Sequence, residues 1–216
     1  MDSFFPSGGY AFSSGLEAAV QGGAVRDARE LSRYVEDLLG NGLGRCEAVA
    51  VARAWDAQAR GAGHEAIGAD EELDAMKLCR ETRKASRQMG RQVIRIAAER
   101  MVESAILRGY REAVAAGRTP GHLAVALGLT LAACGWQREE AVAAYLYQGA
   151  VGLVSASLKL LPIGQKEAQR LLDDWLPLID ELSRASGGAD TMISWTPVQD
   201  IYAMRHSRLA SRLFRS

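Results

Sequence analysis

The chain is poor in the residues that carry metal, redox and proton-transfer chemistry: its 216 residues include three cysteines and three histidines. Cys46, Cys79 and Cys134 are too far apart for a CxxC pair, a zinc ribbon or an even disulfide framework, so reduced, buried thiols are expected. His64, His122 and His206 have no second histidine or cysteine within helical reach, and no metal ligand set is predicted. An excess of one charge is also missing. Lys plus Arg is 26 and Asp plus Glu is 26, so no overall field draws the chain toward nucleic acid or an anionic membrane. There is no phosphate-binding loop, no GxGxxG, no GxSxG elbow, no SxxK and no HExxH. The expectation is a protein without catalytic residues, bound cofactor or resident metal, and hence not an enzyme. Met1-Asp2-Ser3-Phe4-Phe5-Pro6 lacks the basic and apolar regions of a secretory signal, which together with reduced thiols predicts a cytoplasmic protein.

What is present is ordinary for a globular domain: 48% hydrophobic and 24% charged residues, with a mean hydropathy of -0.08. A chain of this size buries roughly 70% of its unfolded surface. Runs of β-branched and aromatic residues with period-two alternation are scarce, while Ala, Leu, Arg and Glu recur at helical spacing, so the fold class is all-α. Helices are predicted over 27–39, 46–60, 71–101, 102–116, 122–134, 138–161 and 165–186. Asp27 followed by Glu30 resembles a capping box, Leu31, Tyr34, Val35, Leu38 and Leu39 form one apolar face, and Gly40 is the expected stop. Gly40, Gly42 and Gly44 read as a helix-to-helix turn. Asp70, Glu71, Glu72 and Asp74 are placed at a helix N-terminus, where negative charge is favourable. Pro177, inside an apolar helical pattern, should kink or split its helix.

The segment 141–161 is apolar nearly all round, carries only Lys159 as a charge and is long enough to span a bilayer. Gln148, Ser155 and Ser157 lower its hydropathy, Gly149 and Gly152 suit close helix packing, and no second span or basic flank accompanies it. It is therefore predicted as the buried central helix of a single-domain bundle rather than a membrane span. The division expected is a helical domain over 1–199 and a C-terminal tail over 200–216.

Charge is uneven locally. Lys77, Arg80, Arg83, Lys84, Arg87, Arg91 and Arg95 stand against the single acidic residue Glu81, and most of them share a helix face. The stripe reads either as a docking face for an acidic partner or as a solvated face neutralised within the fold; nucleic acid fits less well, because no aromatic residue interleaves with it. The tail repeats the theme. Arg205, Arg208, Arg212 and Arg215 alternate with Met204, Leu209, Leu213 and Phe214, a pattern suited to an amphipathic segment that packs on its own domain or enters a partner's groove.

Three segments together resemble the urease accessory protein UreF family. Asp2-Ser3-Phe4-Phe5-Pro6-Ser7-Gly8-Gly9-Tyr10 with Ser13, Gly15, Leu16 and Glu17 is similar to its N-terminal signature. Glu81, Arg83, Ser86, Gln88 and Gly90, then Tyr145-Leu146-Tyr147 and Leu161-Pro162-Ile163-Gly164-Gln165, are similar to its interior. Arg205-His206 and Ser211-Arg212-Leu213-Phe214-Arg215-Ser216 are similar to its ending. Phe12 stands where the family often has a histidine, and Ser207 where it often has an acidic residue. The resemblance implies an all-helical scaffold that binds the accessory protein UreD (UreH), recruits the GTPase UreG and serves nickel insertion into apo-urease, and that forms homodimers. It also implies a partner-binding set of Tyr10, Arg205, His206, Arg212, Leu213, Phe214, Arg215 and Ser216, with Tyr10 and Arg212 foremost. A regulatory influence on the GTPase, through an arginine that stabilises transferring phosphate charge, is the alternative.

Overall fold

A computed structural model describes residues 12–215. Those residues fold into α-helices with no β-strand: α1 Leu16–Gln21, α2 Ala28–Leu38, α3 Ala48–Arg60, α4 Gly63–Met76, α5 Arg80–Arg100, α6 Ala105–Ala115, α7 Leu123–Ala133, α8 Arg138–Leu160, α9 Gln165–Ala185 and α10 Pro197–His206. The predicted all-α class is correct. At the start of α2 the Asp27 carboxylate accepts the Glu30 amide at 2.8 Å, as expected of an N-cap. The reciprocal half of the capping box is diverted, because the Glu30 carboxylate accepts from the amide and guanidinium of Arg26 instead.

The glycine run is not a turn. Residues Leu39–Glu47 form a π-helix that joins α2 to α3 without a break, and the Ala48 amide reaches back five residues to the Leu43 carbonyl. Widened turns leave carbonyls free for outside donors, and the loop before α10 uses two of them: Trp195 N–H donates to Asn41 O at 2.9 Å and Ile193 N–H to Arg45 O at 3.0 Å. A Cβ on Gly44 would lie 2.8 Å from the Leu182 side chain, so glycine here is what lets α9 approach.

The predicted helix over 71–101 is two helices. Its apolar spacing continues through Lys77-Leu78-Cys79, but the chain there turns extended, and the Arg83 guanidinium donates to the Lys77 carbonyl at 2.9 Å to hold the corner. The acidic cluster consequently falls in the second half of α4 rather than at its N-terminus. Asp70 nevertheless serves a helix start, that of α7: buried, it accepts from Thr119 Oγ1 (2.7 Å), Gly121 N (2.6 Å) and His122 N (2.8 Å). The α6 helix begins three residues later than predicted, capped by Ser104. Pro177 stays inside an unsplit α9.

The core gathers around α3 and α7, whose crossing is so close that a Cβ on Gly128 would lie 2.4 Å from the Val51 carbonyl. Every residue of α7 from Leu123 to Leu129 is buried. The longer α8 sends Ala141, Val142, Tyr145, Leu146, Leu153 and Val154 into the same core. It is the only helix among the described residues long and apolar enough to cross a membrane, and half of its apolar window is buried inside the fold. Its other face borders a groove. The 199/200 boundary lies within α10, which packs on α1 and α5.

Candidate partner-binding surface

The C-terminal segment is assembled around a buried carboxylate. Gly15, with φ +88, starts α1 and brings its backbone against α10, where a Cβ would lie 2.8 Å from Ala203 N. This contact sets Glu17 of α1 opposite His206, the last residue of α10. Both side chains are fully enclosed. His206 Nε2 lies 2.8 Å from Glu17 Oε2, and its Nδ1 lies 3.0 Å from Glu81 Oε2 on α5. Past His206 the chain turns back, so that Leu213 N–H donates to Glu17 Oε1 at 2.7 Å and Phe214 N–H to Glu17 Oε2 at 3.2 Å. Burial alone would raise the Glu17 pKa. The Leu213 amide, the His206 ring and the Phe214 amide outweigh it and hold the carboxyl below its ordinary value.

With the backbone pinned there, alternate side chains face opposite ways. Phe214 is 7% exposed and lies under the Lys159 ammonium, 5.4 Å from its ring centre, whereas Leu213 is 71% exposed. Arg212 reaches 3.6 Å from Glu81 Oε1 with its side chain 43% exposed, and Arg205 stacks over Tyr202. Val198, Ile201 and Met204 form an exposed apolar row on α10, continued by Trp195 before it.

A groove of about 520 Å³ separates the π segment, the α4–α5 corner, α8 and the start of α10. Lys77 and the Tyr145 hydroxyl both donate to Glu47 on its wall. Burial works against the Glu47 charge, but Lys77 and Tyr145 prevail and lower its pKa. Cys46 also lines the groove, and burial pushes its thiol up to about 12, which leaves it without nucleophilic character at neutral pH. No group of three or more His, Cys, Asp or Glu among the described residues is arranged to hold a metal.

Comparison with known proteins decides the family. The UreF family model matches residues 25–176. The chain is 34% identical over 216 residues to the urease accessory protein UreF of Azoarcus sp. (strain BH72), covering 98% of this chain and 90% of that one. It is 30% identical over 219 residues to the urease accessory protein UreF of Arthrobacter sp. (strain FB24), covering 100% and 93%. The chain belongs to the UreF family. It is thus an accessory protein and not an enzyme.

For this UreF-family chain, the residues singled out in the tail fall into two groups. His206 and Phe214 point inward, while Arg205, Arg212, Leu213 and Arg215 are exposed on the same segment. Tyr10 and Ser216 lie outside the described residues. Three of the seven residues of the basic stripe pair with carboxylates of the fold, Lys77 with Glu47, Arg87 with Asp74 (Nε to Oδ1, 2.7 Å) and Arg95 with Glu99, while Arg83 and Arg91 donate to the Lys77 and Pro120 carbonyls. Sequence reasoning missed the role of Glu17 and the apolar row of α10. Pro197 at a first-turn position followed by Val198 and Ile201 was the available sign of that helix.

Proposed function

We propose that this chain acts as a scaffold in urease maturation, binding the accessory protein UreD (UreH) and, with it, recruiting the GTPase UreG that delivers nickel to apo-urease. Nickel is cargo in this reading, not a ligand of the chain. The supporting observation is the C-terminal segment itself: a backbone fixed on Glu17 displays Arg205, Arg212, Leu213 and Arg215 outward beside the apolar row of α10. Such a mixture of exposed guanidinium and apolar groups suits a protein interface. The partner-binding unit then starts at α10 rather than at residue 200. Homodimerisation and a cytoplasmic site of action belong to the same proposal.

The test is co-purification with UreD, followed by addition of UreG and GTP, for the parent chain and for Arg212→Glu and Leu213→Asp. Both positions are exposed, so the variants should keep the parent's helical circular dichroism while capture of UreG falls at least tenfold. Unchanged capture by both would remove the tail from the interface. UreG turnover measured in the same mixtures separates scaffolding from regulation, since an arginine acting on the phosphate would raise turnover and Arg212→Glu would abolish that rise.

A further inference from the structure

The basic residues of the stripe divide by face. Lys77 and Arg87 turn to carboxylates of the fold and Arg83 to a carbonyl, but the exposed positions of α5 from its start to Arg95 are Arg80, Lys84, Gln88, Arg91 and Arg95. All but Gln88 are cationic, and none is a carboxylate. Among the described residues Arg80 and Lys84 have no carboxylate partner, Arg91 donates to a carbonyl that leaves its charge unopposed, and Arg95 meets Glu99 at 3.4 Å. Arg118, exposed on the loop after α6 and two residues before the Pro120 that Arg91 binds, adds a further cation beside the line. A face kept for solvation alone would mix its signs, as other helices of this chain do: Arg26 pairs with Glu30 and Arg184 with Asp180, each four residues apart. On α5 like charges stand four apart instead, at 80 and 84 and again at 91 and 95, where they repel. Arg80 also occupies the first position of the helix, the end at which the dipole favours an anion.

We propose that the exposed ridge of Arg80, Lys84, Arg91 and Arg95 is a docking surface for an acidic helical segment of a partner protein. Cations four residues apart stand about 6 Å apart along the helix axis, and the four together span about 22 Å. Carboxylates repeated at the same intervals along an opposing helix would meet them one for one and remove the repulsion within the ridge. Leu78, 64% exposed at the corner just before Arg80, offers an apolar contact to one end of such a segment. Nucleic acid fits less well, because the cations run in single file with no exposed aromatic residue among them to stack on bases. A membrane surface fits less well too, since one leucine is not the apolar face that enters a bilayer. The ridge shares no residue with α10 or the tail. In placing the partner within the urease-maturation assembly the proposal rests on the scaffold reading, but the ridge itself is tested without it.

The experiment is an amide NMR titration of the full chain with a helical peptide whose glutamates follow the intervals of the ridge, against a peptide of the same composition with its glutamates spread around the helix. The expected result is that shifts gather at residues 78–95 and at Arg118, and that the matched peptide binds at least tenfold more tightly than the spread one. The double variant Lys84→Glu/Arg95→Glu, altered at exposed positions and expected to keep the parent's circular dichroism, should lose that binding and gain it for a peptide carrying lysines at the same intervals. The same variant is then offered UreD, UreG and apo-urease, and assembly with them should weaken at least fivefold. Equal binding of the matched and spread peptides overturns the ridge as a site, and tighter binding of duplex DNA or phosphatidylserine vesicles than of the matched peptide overturns the choice of an acidic protein segment. If the peptide binds as described but the variant assembles with UreD, UreG and apo-urease as the parent does, the docking role falls, while the scaffold reading, tested at Arg212 and Leu213, is unaffected.

Discussion

Two histidines sit fully buried in this molecule, and their partners give them opposite tasks. His122 donates from Nε2 to Asp74 at 2.8 Å and accepts at Nδ1 from the Ser86 hydroxyl at 3.0 Å, which a neutral ring satisfies completely. Burial lowers its pKa, and the attraction of Asp74 and Asp70 only partly offsets that. At His206 the serine is replaced by a second carboxylate, so that Glu17 and Glu81 flank the two ring nitrogens. Burial alone therefore does not set the surroundings of a histidine; the residues at its two ring nitrogens do. The His122 node ties α4, α5 and α7 together, whereas the His206 node ties α10 and the tail to α1 and α5.

The comparison can be broken most severely at the buried carboxylates. Asp70→Ala would leave the Thr119 hydroxyl and the Gly121 and His122 amides unpaired at the start of α7, and a loss of about 4 kcal/mol in urea unfolding is expected. Glu17→Ala strands His206 and two tail amides near the periphery. A loss of about 3 kcal/mol is expected, carried by the C-terminal segment more than by α3 and α7, which residue-resolved exchange would reveal. A result with the core losing protection first would make the tail a core element.

Smaller effects sharpen the contrast. The unfolded state takes up a proton at His122 near pH 6.5, but the folded state does so only at lower pH, so the stability linked to His122 is complete above about 6.5 and declines as pH falls below it. His122→Gln should flatten the stability profile between pH 7 and 5.5, measured as urea midpoints; an unchanged slope would assign it elsewhere. Ser86→Ala removes the hydroxyl donor from the His122 ring and is expected to cost about 1 kcal/mol. Least of all, Leu213→Asp should alter stability by no more than about 0.5 kcal/mol, since its side chain makes the outward half of the segment.

Much of the helical framework was legible because periodicity and end signals agreed. The predicted spans of α7, α8 and α9 match the structure to within a residue or so at each end, each bounded by Gly or Pro and filled with apolar residues at helical spacing. Failures arose where a distant group overrides local preference. Lys77 pairs with Glu47, thirty residues earlier, at the corner between α4 and α5 that helix-forming neighbours conceal. The tail's alternation of arginine and apolar residues was visible, yet which residues face inward depends on Glu17, nearly two hundred positions away. The basic stripe left two readings open for the same reason, since the groups that meet it, Glu47, Asp74 and the Pro120 carbonyl, come from other parts of the chain.

The π segment also fixes the phase between the two halves of the helix it joins. A π turn winds the chain by less per residue than the roughly 100° of an α-helix, so removing a residue from Leu39–Glu47 and restoring ordinary winding would change the rotational phase of α2 about α3. Asp37 and the Tyr34 carbonyl, which now hold the buried Gln199 of α10, would swing away from it. A one-residue deletion in a glycine-rich stretch, harmless in a surface loop, would here detach the helix that carries the tail.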